Sequence, residues 1–153
     1  MGTVFVMAST LTKVLVHITF STKNRQPTIP ESCEHDLYAY IGGICRRLDS
    51  PLLAMGGVAD HVHMLVDLSK NVALATFMLD VKRDSSRWMG ERLARFAWQE
   101  GYFAFSIGES GLDALRAYIA NQRAHHQRIG CKDEMRALFR KYGIEPDERY
   151  VWA

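Results

Sequence analysis

Leu52-Leu53-Ala54-Met55-Gly56-Gly57-Val58-Ala59-Asp60-His61-Val62-His63-Met64-Leu65-Val66-Asp67-Leu68 holds two apolar runs of strand length, Leu52 to Val58 and Val62 to Leu68, parted by a short segment around Asp60. A tight polar break between two such runs is the pattern of a β-hairpin. Asp49-Ser50-Pro51 in front of it ends a helix, because proline has no amide hydrogen and restricts the residue before it. That helix carries a buried stripe at Leu37, Ile41, Ile44 and Leu48, and Thr28 with Glu31 three residues on gives it a capping-box start. Further upstream, past the polar turn Lys23-Asn24-Arg25-Gln26-Pro27, Val14, Val16, Ile18 and Phe20 alternate with Leu15, His17, Thr19 and Ser21, the period of a half-buried strand. Downstream of the hairpin, Leu74, Phe77, Val81 and Trp88 form one face of a second helix, opposite Lys82, Arg83 and Arg87. Tyr102 to Ile107 is a fourth strand. Ser110 with Asp113 then caps a third helix bearing Leu112, Leu115 and Ile119, with Gly130 placed to end it. Met135, Leu138, Phe139 and Tyr142 mark a short last helix. The order βαββαβ followed by helices predicts an α+β, ferredoxin-like fold, an antiparallel sheet with helices on one face plus C-terminal helices. Its other face is expected to lie open for ligands.

With 153 residues, 48% hydrophobic and 24% charged, the chain can bury one good core, so one domain spanning 1–153 is expected, with residues 1–10 a candidate disordered extension. The 19 Lys and Arg against 17 Asp and Glu leave a net charge of +2, too little to announce a nucleic-acid partner by charge alone. Any argument for DNA must rest on local chemistry. Cys33, Cys45 and Cys131 show no CxxC spacing and read as reduced thiols. The start of the chain lacks the basic and apolar regions of a signal peptide, and Lys13, His17 and Lys23 interrupt the first apolar segment, so a soluble cytoplasmic protein without membrane partners is expected.

His61 and His63 are two apart in a strand and therefore emerge on one face, with Val62, Met64 and Val66 on the other. Paired imidazoles suit a first-row transition ion such as Mn²⁺, Fe or Zn²⁺, but fill only part of its sphere. Alone, such a pair is as ordinary as any solvated strand face. In the third helix, Tyr118, Gln122 and His126 stand at successive i, i+4 positions and share a stripe. A phenol is a poor nucleophile near its free pKa of about 10 and needs a metal-polarised phosphate or a neighbouring base. Gln122, one turn from Tyr118, could complete the metal shell.

These residues, together with His17 to Arg25, Gly56 to Leu65, Lys82-Arg83-Asp84-Ser85-Ser86-Arg87-Trp88, Trp98 to Tyr102, Tyr118 to His126 and Lys141-Tyr142-Gly143-Ile144, resemble the single-tyrosine HUH transposases of bacterial insertion sequences and their relatives associated with repetitive extragenic palindromes. The resemblance covers nearly the whole chain. It implies His61, His63 and Gln122 as metal ligands, Tyr118 as the nucleophile, a divalent ion, Mg²⁺ or Mn²⁺, and a homodimer. It further implies a transposase that cleaves and rejoins hairpin-bearing single-stranded DNA at insertion-sequence ends through a 5′-phosphotyrosine. Lys23, Arg25, Lys82, Arg83 and Arg87 are reasonable phosphate contacts. A domesticated host nuclease acting on palindromic repeats keeps the same chemistry, a silent single-stranded-DNA-binding module would lack it, and an unrelated metal hydrolase would not need Tyr118.

Overall fold

The computed structural model describes residues 9–153, so the expected N-terminal extension lies outside the described residues for positions 1–8. Its elements are β1 (Leu15–Ser21), α1 (Glu31–Arg47), β2 (Leu52–Val58), β3 (His61–Asp67), α2 (Leu74–Gly90), β4 (Phe103–Ser106), α3 (Leu112–Ala120), α4 (Gln122–His125) and α5 (Cys131–Lys141). The strands lie in the order β2-β3-β1-β4 with every neighbour antiparallel, which is the ferredoxin-like arrangement expected. No helix among the described residues is long and apolar enough to cross a membrane.

Strand alternation sorts the sheet into two faces. Thr19 lies opposite His63 and His17 opposite Leu65, so these four side chains share a face with His61, while Ile18, Phe20, Val62, Met64 and Val66 point the other way. The second group meets Leu37, Ile41 and Ile44 of α1 and Phe77, Val81 and Met89 of α2 in the main core. Trp88 stands at the edge of that core, half-buried against Tyr40, rather than inside the α2 stripe.

The histidine face is not open, contrary to expectation. Ile119 of α3 packs on Leu15 and Leu65, and Met135 and Phe139 of α5 pack with Phe105 of β4. His17, His61 and His63 are each 0% exposed. The cause is composition: Leu15, Leu65 and Phe105 make this face too apolar to leave in water, and a sheet apolar on both faces needs a layer on each. Gly56 permits the close fit, because a Cβ built there would lie 2.3 Å from the Ile119 carbonyl oxygen. Only glycine lets the α3 backbone come so near to β2.

Several helix boundaries differ from the sequence expectation. The Thr28–Glu31 capping box does not form; Pro30 precedes α1 in an extended conformation, and Ile29 is tied by its amide to the Ala59 carbonyl, which holds this segment straight. Ser110 caps nothing, since residues 109–111 form a 3₁₀ turn that runs directly into α3. The single helix expected to reach Gly130 breaks at Asn121, whose φ of −98° and ψ of 17° leave the helical region, and Gly130 instead precedes α5. The break preserves the phase of the chain, so Tyr118, Gln122 and His126 still face the sheet.

Candidate active site

Under that second helical layer the polar residues of the covered face converge on one carboxylate. Glu134 of α5 places Oε1 at 3.1 Å from His61 Nε2, 2.9 Å from His63 Nε2 and 3.1 Å from His126 Nε2. Its Oε2 accepts from Tyr118 Oη and from Gln122 Nε2 at 3.1 Å, with His125 Nε2 also at 3.1 Å. Tyr118, His61, His63 and Gln122, four residues singled out from the sequence, are thus brought together from β3, α3 and α4. Glu134 was not singled out. A signal for it exists: Cys131, Glu134, Met135, Leu138 and Phe139 follow the i, i+3, i+4, i+7, i+8 pattern of a buried stripe, which sets one carboxylate among apolar neighbours.

Two further residues steer the histidines. Asp60 Oδ1 is 2.6 Å from His61 Nδ1, and His17 Nε2 is 2.9 Å from His63 Nδ1, with the His17 and His63 rings stacked at 5.1 Å. A hydrogen bond at one ring nitrogen fixes the tautomer and aims the other, so both Nε2 atoms are turned into the cluster. Burial pushes His17 down to about 3, aided by neighbouring His63, so this ring is neutral and can accept the His63 proton. Burial likewise lowers His63. For His61 burial acts in the same direction, but hydrogen bonds to Asp60, Cys131 and Glu134 outweigh it and raise the ring to about 11. Burial also disfavours the Glu134 anion, yet the imidazoles of His126, His61 and His63 hold its carboxyl well below the usual range. Tyr118 is raised above the ordinary phenol range by burial and then by the adjacent Glu134 charge. In the metal-free chain the phenol is therefore protonated.

The donor set fits a metal ion. His61, His63, His126 and Glu134 each offer one ligand atom, all within 4.8 Å of one another. Gln122 Oε1 and His126 Nε2 are buried without a hydrogen-bond partner among the described residues. Buried orphan acceptors of this kind are costly unless something cationic meets them. The same site opens to solvent through a cleft of about 530 Å³ between α3 and α5, where His17, Tyr118, His125 and Glu134 line the wall and Lys141 adds a positive charge.

The five basic residues separate into two groups. Arg25 lines a cavity with His61 and Cys131, donates to the Trp152 carbonyl at 3.0 Å and lies over the Trp152 ring. Lys23 is in the same 3₁₀ turn, where Asn24 and Arg25 adopt left-handed φ values of 56° and 52°. Lys82, Arg83 and Arg87 ride on α2, across the sheet from the histidines. Lys82 Nζ donates to the Gly101 carbonyl at 2.8 Å, and Arg83 pairs with Asp80 and Asp84 at 3.1 and 3.0 Å.

Comparison with known proteins places the fold in a family. The family described as "Transposase IS200 like" matches residues 10–122. The transposase for insertion sequence element IS200 of Salmonella typhimurium is 24% identical over 114 residues, covering 69% of this chain and 74% of the relative, and its Salmonella typhi counterpart matches equally. A transposase crystal structure from Deinococcus radiodurans superposes with a TM-score of 0.62 at 20% identity, over 76% of this chain and 95% of that one. A REP-associated tyrosine transposase bound to a REP hairpin superposes with a TM-score of 0.61 at 16% identity, over 80% of this chain and 74% of that one. With well over half of its length matched by this one family, the chain belongs to the IS200-like transposases.

Proposed function

We propose that this transposase cuts and rejoins single-stranded DNA at insertion-sequence ends with Tyr118 as nucleophile. The observation that carries the reading is the convergence of Tyr118 Oη, His61, His63 and Gln122 on one buried point reached by a cleft. Tyr118 Oη attacks the scissile phosphorus, the bond from phosphorus to the 3′ oxygen breaks, and a 5′-phosphotyrosine and a free 3′-OH result. The phenol gives up its proton and the leaving oxygen gains one, so no net proton is consumed. Because the phosphodiester energy is kept in the tyrosine ester, a 3′-OH can attack it in reverse and rejoin strands without ATP.

His61, His63 and Gln122 are proposed ligands for a divalent ion, Mg²⁺ or Mn²⁺, which supplies charge neutralisation at the phosphate. Asp60 and His17 orient the two imidazoles. Lys141 in the Tyr118 cleft and Arg25 in the neighbouring cavity, with Lys23 in the same turn, would hold phosphates near the scissile bond, whereas Lys82, Arg83 and Arg87 on the far layer would meet a more distant part of a DNA hairpin. We further propose that residues 1–153 act as one cytoplasmic domain and that the protein works as a homodimer, which light scattering in solution would test.

The deciding experiment incubates the protein and Mn²⁺ with a labelled hairpin oligonucleotide drawn from the flanks of its own gene, and resolves the denatured products. A covalent protein–DNA adduct is expected for the wild type and none for Tyr118→Phe. An adduct that survives this substitution would show the nucleophile to be another residue.

A further inference from the structure

The distances around Glu134 carry more than a polar contact. Six groups surround this carboxylate, namely His61, His63 and His126 at Oε1, and Tyr118, Gln122 and His125 at Oε2. A carboxylate offers only about four lone-pair directions. Three nitrogens crowd one oxygen, and His126 Nε2, though 3.1 Å from it, makes no hydrogen bond with acceptable geometry. Hydrogen bonds from His61, His63, Tyr118 and Gln122 already fill those directions, and hydrogen bonding does not explain why His126 approaches as well.

Coordination geometry does. Donors bound to one ion at about 2.1 Å stand about 3.0 Å apart when they subtend a right angle and about 3.4 Å apart at the tetrahedral angle. The separations of Glu134 Oε1 from His61, His63 and His126, 3.1, 2.9 and 3.1 Å, match the edges of such a polyhedron. The outer hydrogen bonds agree with it: Asp60 holds Nδ1 of His61 and His17 holds Nδ1 of His63, which frees both Nε2 lone pairs for an ion. Gln122 Nε2, at 3.1 Å from Glu134 Oε2, keeps the carboxylate turned so that Oε1 faces the three rings.

We infer that His126 and Glu134, from the chain following α4 and from α5, are ligands of the same ion as His61 and His63. With Gln122 Oε1 beside them, three imidazoles and one carboxylate make a set that favours Mn²⁺ over Mg²⁺. Magnesium prefers an all-oxygen shell and keeps its waters, whereas imidazole nitrogen favours Mn²⁺, Fe²⁺ or Zn²⁺. The inference rests on the reading of His61 and His63 as a metal-holding pair and deepens it. It also gives α5 a part in the site: the ion ties the last helix to β3.

Calorimetry with the full chain and Mn²⁺ alone, followed by Mg²⁺ competition, tests this. The wild type should bind one Mn²⁺ per chain and retain it against a hundredfold excess of Mg²⁺. Glu134→Gln and His126→Asn should each weaken Mn²⁺ binding by about tenfold or more, while circular dichroism shows an intact fold. X-ray absorption of the Zn²⁺-loaded wild type needs no variant and should give three imidazoles per ion. Wild-type affinity in both variants, two imidazoles in the absorption spectrum, or displacement by Mg²⁺ would overturn the inference. His61→Ala and His63→Ala separate the two readings. If these abolish binding while the Glu134 and His126 variants do not, only the added ligands are wrong. If they too bind normally, or the wild type binds nothing, the metal-holding pair itself is wrong.

Discussion

At the scale of single residues, two side chains, Asp60 and His17, set the direction of the paired imidazoles. Asp60, 2.6 Å from His61, orients that ring, and Asp60→Asn should lower Mn²⁺ affinity by about tenfold or more, read by calorimetry. His17 is the matching support for His63, and its pH behaviour is specific. Burial holds its folded pKa at about 3, below the 6.5 of an unfolded chain, so the ring is neutral throughout the neutral and mildly acidic range. Its NMR ring signals should not move between pH 8 and pH 5. The sign for stability follows: the contribution of neutral His17 is complete above pH 6.5 and is lost as the pH falls toward 3, because only the unfolded chain takes up the proton. Urea midpoints of His17→Gln should lose part of that acid-side decline. His61 and His63 were legible in the sequence because alternation in a strand fixes their shared face, and Tyr118 with Gln122 because helical spacing does. Glu134 was not legible as a partner, since it lies 71 and 73 positions from His63 and His61 and meets them only through tertiary packing, whereas His126 already stood on the Tyr118 stripe.

At the scale of elements, α3 reaches the sheet because β2 presents no side chain at Gly56. Gly56→Ala should push α3 off β2, costing about 1–3 kcal/mol in urea unfolding and reducing DNA cleavage, since Tyr118 rides on the displaced helix. The strands and the long helices α1 and α2 were readable from period alone. Helix ends were not: Thr28 and Ser110 have the chemistry of caps, but Ile29 is held straight by Ala59, and residues 109–111 already turn as 3₁₀, so tertiary contacts override the local pattern. The break at Asn121 was equally hidden, because the stripe from Tyr118 to His126 keeps its phase through it.

At the scale of the whole molecule, one sheet is held between two helical layers, and the layers differ in character. The α1–α2 side is sealed by apolar packing, whereas the α3–α5 side packs around a polar knot of histidines and a carboxylate. An ion bound there should stabilise the chain by about 2.7 kcal/mol at a hundredfold excess over its dissociation constant, seen as a higher Tm that EDTA reverses. Hydrogen exchange after EDTA treatment should quicken in α5 and leave β1 and β3 protected. The expected open face was the largest departure from the sequence reading, and its cause was visible in Leu15, Leu65 and Phe105 once the register paired them. Glu134 lies 73 residues beyond His61 and after the segment that the family shares, residues 10–122. During synthesis the sheet and Tyr118 therefore emerge before α5, so the histidine face of the sheet gains Glu134 and the last part of its cover only after the rest of that face is in place.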